Sequence, residues 1–218
     1  MTFSILARDP ETGETAAAAA TGNLAVGAWV LFARAGSGVA ASQGFTPSTL
    51  WGEEAMSLLA EGTGAGEIVK RIPQADRGAD FRQLTVLDVE GRSAGWTGPC
   101  NTDCKGQIVA ENLAIAGNWL ANDDVLGAIH SAFSKAGGPL AVRMLDALDA
   151  GAAAGGDARG LKSAAIVAIK PETPLLDLRI DCSDRPLTDL RSLYRRTRDD
   201  GYRAFLSRVP TPEHPHKC

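Results

Sequence analysis

Strict alternation opens the chain. Along Thr2-Phe3-Ser4-Ile5-Leu6-Ala7-Arg8, side chains two positions apart share a face, so Thr2, Ser4 and Leu6 lie on one side and Phe3, Ile5 and Ala7 on the other. That period predicts a strand, ended by the turn Asp9-Pro10-Glu11-Thr12-Gly13, where Pro sets one φ and Gly permits a positive one. Ala16 to Ala20, bounded by Gly13 and Gly22, reads as a buried strand of small residues over which another layer packs closely. The apolar run from Ala28 to Ala33, ending at Arg34, and the segment Val39 to Ser42 after Gly36-Ser37-Gly38 complete two predicted hairpins.

The period then lengthens. Leu50, Ala55, Met56, Leu58 and Leu59 recur at helical spacing, with Ser48 or Thr49 as the N-cap, and a short helix over Gly66 to Arg71 should end at Pro73. Strands return at Gln83 to Val89, at Ser93 to Thr97 and around Gln107 to Ala116. Val125, Ile129 and Phe133 line one helix and Leu140, Met144 and Leu148 another, separated by Gly137-Gly138-Pro139. Ser163 to Ile169 and Leu175 to Ile180 form a last hairpin around Lys170-Pro171-Glu172-Thr173-Pro174, and one amphipathic helix runs from Leu187 to Phe205. Helices come in blocks instead of alternating with single strands. This points to an α+β fold in which two antiparallel sheets stack between two helical layers. One domain over residues 1–209 with a loose tail at 210–218 is expected.

Composition changes this picture little. The 218 residues are 44% hydrophobic and 22% charged, an ordinary globular balance. A formal charge of -4 gives no basic footprint, so nucleic acid is not expected as a partner; a small molecule or short peptide is. The few apolar residues before Arg8 are too short for a signal-peptide core and no run reaches membrane-spanning length, which predicts a cytoplasmic protein without a membrane partner. In that compartment Cys100, Cys104, Cys182 and Cys218 are expected as thiols. Cys100 and Cys104 have the spacing of half a zinc site, but no second close pair completes it. His214, His216 and Cys218 sit in the tail, where solvation accounts for them. Neither a metal nor a cofactor is expected.

The candidate chemistry gathers at the start of the chain. If Met1 is removed, which a small second residue permits, Thr2 carries both a hydroxyl and a free α-amine. A hydroxyl needs a base within hydrogen-bond reach, and an N-terminal amine is one way to supply it. Met-Thr-Phe-Ser-Ile-Leu-Ala-Arg-Asp-Pro-Glu-Thr-Gly at the start, Gly117-Asn118, and Gly-Gly-Asp-Ala-Arg-Gly-Leu-Lys-Ser-Ala-Ala over 155–165 resemble a bacterial family, domain of unknown function 1028. The resemblance spans about residues 2 to 185. The family is similar in architecture to the N-terminal nucleophile (Ntn) hydrolases, which implies an αββα sandwich with the nucleophile at the first residue of the first strand.

In proteasome-like members of that group a lysine some thirty residues later sits beside the nucleophile. Arg34, 32 residues after Thr2, matches that position, although arginine is always charged and cannot shuttle a proton. A nearby cation would lower the amine pKa from about 8, each unit corresponding to about 1.4 kcal/mol. Thr2, Arg34 and Asn118 are therefore the expected catalytic residues, with the Asn118 amide and backbone N–H groups of Gln43-Gly44-Phe45 as oxyanion donors. Losing one such donor costs about 3 kcal/mol in the transition state. Ser4 shares a face with Thr2 and, with Gln43 and Gly44, is expected to touch substrate. Asp157 and Arg159 sit among Gly155, Gly156 and Gly160, where backbone can approach a ligand and Arg159 can grip a carboxylate. The expected activity is hydrolysis of an amide bond in a non-peptide or small-peptide substrate. The alternative is a non-catalytic small-molecule-binding or oligomeric scaffold protein on the same fold, and the apolar helix faces are compatible with a homodimer.

Overall fold

The structure is a computed structural model that describes every residue except Met1, Asp103, Pro171, Pro212 and Cys218. The alternating first segment is strand β1 (Thr2–Arg8), followed by β2 (Thr15–Thr21), a short helix α1 (Val26–Trp29), β3 (Leu31–Arg34) and β4 (Gly38–Gly44). Helices α2 (Thr49–Ala60) and α3 (Ala65–Gln74) precede β5 (Arg82–Asp88), β6 (Ser93–Thr97), β7 (Gly106–Ala110) and β8 (Leu113–Asn118). Then come α4 (Asp124–Lys135), α5 (Leu140–Ala153), β9 (Ser163–Lys170), β10 (Thr173–Ile180), α6 (Pro186–Arg196) and α7 (Asp200–Leu206).

Among the described residues, ten strands make two antiparallel sheets. The larger has the order β10-β9-β2-β1-β8-β7 and the smaller β3-β4-β5-β6. The two faces of β1 go where its alternation sends them. Phe3, Ile5 and Ala7 pack with Ile115, Ile166, Ile129, Met144 and Leu148 against the layer of α4, α5 and α6. Leu6, with Ala17 and Ala19 of β2, meets Val39, Ala41 and Leu87 of the smaller sheet. The outer face of that sheet, with Ala40, Leu84 and Val86, is covered by Trp51, Ala55, Leu58, Ile68 and Ile72 of α2 and α3. The αββα layering expected from the order of elements is the layering of the molecule.

The alanine strand lies at its centre. All of Thr15–Thr21 is buried, and small side chains let helices approach one face of β2 and the second sheet the other. Three local expectations give way to tertiary context. The run at Ala28–Ala33 divides, because Ser163 Oγ accepts the Val26 N–H (3.0 Å) and fixes one helical turn before β3 starts. Pro73 lies inside the last turn of α3, where it removes a single backbone bond and does not end the helix. The helix expected over Leu187 to Phe205 breaks at residues 197–199, leaving α6 and α7. The turn residue Pro171 lies outside the described residues. Among those described, no helix is long and apolar enough to cross a membrane.

Candidate active site

β1 sits between β2 and β8, and their register places Thr2 opposite Thr21 on one side and Asn118 on the other. Three strand ends thus put polar side chains at one edge of an otherwise apolar layer. The Thr2 hydroxyl donates to Thr21 Oγ1 (3.2 Å), and the Thr2 carbonyl accepts from Gln43 Nε2 of the facing sheet (3.3 Å). Thr2 retains only 8% exposure, so its hydroxyl is held by neighbours more than by water.

Behind it lies an amide network centred on Gln83, fully buried on β5. Gln83 Oε1 accepts from Gln43 Nε2 (3.0 Å) and from Asn118 Nδ2 (2.8 Å). Its own Nε2 is shared among the Gly117 carbonyl (2.8 Å), Thr97 Oγ1 (3.1 Å) and the Gly106 carbonyl (3.2 Å). One side chain therefore ties both sheets together directly beneath Thr2. Other hydroxyls of this inter-sheet region are less well served. Ser4 Oγ and Thr85 Oγ1 have no hydrogen-bond partner among the described residues, and neither does Gln43 Oε1.

Above Thr2 is a pocket of about 350 Å³. Its walls come from Thr21, Asn23 and Leu24 after β2, Val26, Trp29 and Val30 around α1, Gln43, Gly44, Phe45 and Pro47 after β4, and Trp119 and Arg159. That is the composition of a small-molecule site, apolar and aromatic with a few polar groups. Trp119 is held at φ 55, a conformation that a bulky residue rarely adopts. Its neighbour Leu120 forms a bridge with Asp157 and donates to the Cys104 carbonyl (2.9 Å), which docks the glycine-rich loop against it.

That loop is built around Asp157. Its carboxylate accepts the Gly22 N–H, the Arg159 N–H (2.8 Å), Arg159 Nε (3.2 Å) and Arg159 Nη2 (3.1 Å). A Cβ on Gly22 would come within 2.6 Å of both Asp157 Oδ2 and the Gly160 carbonyl, so residue 22 must be glycine for the carboxylate to reach the strand end. The Arg159 guanidinium then lies 5.0 Å over the Trp119 ring, and Trp119 in turn lies 6.1 Å from Phe45.

The residues named from the sequence separate into groups. Thr2, Gln43, Gly44 and Arg159 share the pocket, and Asp157 stands directly behind Arg159. Asn118 is beside Thr2 but 1% exposed, and its amide nitrogen goes to Gln83, not to the pocket. The Phe45 N–H, also named as an oxyanion donor, goes to Asn101 Oδ1 (2.9 Å). Ser4 is fully buried and does not line the pocket.

Arg34 is elsewhere. β3 begins at the pocket and runs away from it, so Arg34 pairs with Gly38, five residues along β4 from Gln43 and about 16 Å away at ~3.3 Å per residue. The spacing of 32 residues does not place it beside Thr2 because β3 starts at the pocket and carries Arg34 away from it. Thr21, Asn23, Gln83 and the aromatic walls were not found from the sequence. Thr21 was within reach, since it ends the strand that must pair with β1. Among the described residues no cluster of three or more His, Cys, Asp or Glu could hold a metal ion, and Cys218 lies outside them.

A family model described as a family of unknown function, DUF1028, matches residues 2–190. The chain belongs to this family. A DUF1028 protein from Silicibacter pomeroyi has 39% identity to it, with 99% of this chain and 98% of that one covered and a TM-score of 0.94. The chain is also similar to eukaryotic HslV from Trypanosoma brucei, at 13% identity over 77% of this chain and 99% of that one, with a TM-score of 0.46. Anbu, an ancestral β-subunit from Yersinia bercovieri, gives 14% identity, 95% and 98% coverage and a TM-score of 0.42. No curated protein matches the chain. For this DUF1028 chain, the pocket over Thr2 is the place from which a function has to be argued.

Proposed function

We propose that this DUF1028 protein hydrolyses an amide bond of a small molecule, with Thr2 as nucleophile once Met1 has been removed. The observation that carries the reading is the place of Thr2: the first residue of β1, on the floor of the pocket, its hydroxyl oriented by Thr21. A threonine hydroxyl is a poor nucleophile without a base. The described lining residues include no carboxylate, imidazole or lysine amine, which leaves the α-amine of Thr2 itself as the group able to take the proton. The buried glutamine network restrains the Thr2 backbone from behind through Gln43.

In the reaction, Thr2 Oγ attacks the amide carbon while its proton passes to the α-amine. The tetrahedral oxyanion collapses, the C–N bond breaks, and the leaving nitrogen takes that proton. Water then attacks the threonine ester, with the α-amine accepting its proton and passing it to Thr2 Oγ as the ester C–O bond breaks, which releases the acid and restores the hydroxyl. Proton transfer of this kind is worth about 10² to 10⁴ in rate. The side-chain amide of Asn23, which lines the pocket, is a suitable donor to the oxyanion.

The test is turnover of a panel of small amides, ureido compounds and acylated amino acids by wild type and Thr2→Ala. Hydrolysis by wild type and its loss in Thr2→Ala is expected. Equal turnover by both removes the nucleophile, and absence of turnover across the panel favours a binding module on the same fold.

A further inference from the structure

We infer that the pocket over Thr2 takes a neutral aromatic amide: one flat ring, held in the aromatic wall of Trp29, Phe45 and Trp119, bearing an amide and no charge of its own. The inference rests on the Thr2 reading for the place of the amide, and on the pocket walls for the ring and for the lack of charge.

The wall carries no free charge. All the described lining residues except Arg159 are uncharged, and Arg159 enters the wall already paired. Its Nε and Nη2 donate to Asp157 at 3.2 and 3.1 Å, and its guanidinium lies 5.0 Å over the Trp119 ring. One edge and one face of the guanidinium are thus taken up inside the protein, and the pair as a whole is neutral. A charged ligand entering here would lose its water without gaining a counter-charge, which disfavours it. The other polar lining side chains, Thr2, Thr21, Asn23 and Gln43, carry only hydroxyls and amides, the partners that suit a neutral amide.

The walls are flat and aromatic. Trp29, Phe45 and Trp119 remain 57%, 53% and 39% exposed in a protein whose core buries its large side chains, and apolar surface gathered at one pocket marks a ligand site. Phe45 is 6.1 Å from Trp119 with the two rings tilted by 32°, and 6.5 Å from Phe81 on its other side. Trp119 keeps its place in this row with a backbone at φ 55, and such strain persists where the surroundings over-determine it, often at ligand sites. Tilted and offset rings are the arrangement in which a further ring gains most from its neighbours. The volume of about 350 Å³ lies at the small end of ligand pockets, which leaves room for one ring and an amide and not for a chain of several residues.

Binding, not turnover, is the test. Thr2→Ala is titrated by calorimetry, with tryptophan fluorescence as a second readout, using benzamide, cyclohexanecarboxamide, acetamide and benzoate. Cyclohexanecarboxamide matches benzamide in ring size and is the more apolar, so a preference for benzamide reads flatness alone. Benzamide should bind about two- to tenfold more tightly than the cyclohexyl amide, the range an aromatic pair adds beyond its buried area. It should bind at least about tenfold more tightly than acetamide, which lacks the ring, and than benzoate, which carries the charge. Phe45→Leu and Trp29→Leu, at half-exposed positions, should each narrow the preference for benzamide over the cyclohexyl amide and keep that over benzoate. Equal or tighter binding of cyclohexanecarboxamide or of benzoate overturns the inference, as does failure of benzamide to bind or a preference for flatness unchanged in both leucine variants. The four ligands are compared on one protein, so the outcome is decisive even if a leucine variant does not fold. Binding in this order without turnover of benzamide by wild type would sink the Thr2 mechanism and leave the ligand class standing. Turnover of acetamide without binding of benzamide would do the reverse.

Discussion

Gln83 and Thr85 occupy the same face of β5, two residues apart, both fully buried between the sheets, and apolar replacement should destabilise the first and not the second. Gln83→Leu removes the acceptor of Gln43 Nε2 and Asn118 Nδ2 and the donor to the Gly117 carbonyl. Gln43 keeps its bond to the Thr2 carbonyl, whereas Asn118, 1% exposed, is left with an amide nitrogen deprived of that partner. An orphaned buried group costs about 1–3 kcal/mol, so the loss should total about 2–4 kcal/mol with the remaining bonds included. For a chain of this size that lowers Tm by about 4–16 °C.

Thr85→Val removes a hydroxyl that has no partner among the described residues, at nearly constant shape. It should be neutral or stabilising by about 1 kcal/mol, a rise of about 2–4 °C in Tm. Urea denaturation of the two variants, with a check that the slope is unchanged, measures both. If Gln83→Leu is as stable as wild type, or Thr85→Val loses as much as Gln83→Leu, the account of the inter-sheet network is wrong.

Gly22→Ala places a Cβ within 2.6 Å of the Gly160 carbonyl and Asp157 Oδ2, so the loop must shift; the expected outcome is weaker ligand binding than in wild type with folding retained by circular dichroism. Burial raises the Glu14 pKa most, with a smaller contribution from Asp9 that the Lys170 and Arg198 charges oppose. A folded-state pKa above the unfolded one means that the stabilisation is full below the unfolded value and lost as pH rises through the folded one. Glu14→Gln should therefore be more stable than wild type at pH 7 and lose that advantage below about pH 4.5, as urea midpoints across pH will show. Arg34→Ala, at the far end of β3, should leave ligand binding and turnover at wild-type levels in the same assays.

Much of the fold was written in local periodicity. The alternation in Thr2–Arg8 decided which side chains face the helices and which face the second sheet, and the small side chains of Ala16–Ala20 marked the strand that has to sit between close layers. Boundaries failed where a distant residue intervened, as when Ser163 fixes the turn of α1, and where a proline falls in a last turn that tolerates it, as Pro73 does in α3. The site was legible only as far as it lies on strand ends. Thr2 and Asn118 come together because β1 and β8 pair, but the direction of the Asn118 amide depends on Gln83, a residue of the other sheet that no local pattern singles out. Arg34 failed because a count of residues says nothing about which way a strand runs. The aromatic wall was hidden for a related reason: Trp29, Phe45 and Trp119 stand far apart in the chain, each just beyond or at the end of an element that the pocket brings together.

The central claim is that Thr2 acts as an N-terminal nucleophile, and mass spectrometry of the protein reacted with p-nitrophenyl acetate and quenched in acid tests it most directly. The account predicts an intact mass lacking Met1 and an acetyl group carried by Thr2 in the N-terminal peptide, absent from Thr2→Ala. An active protein that retains Met1, or an acetyl group on another residue with Thr2 unmodified, would contradict it.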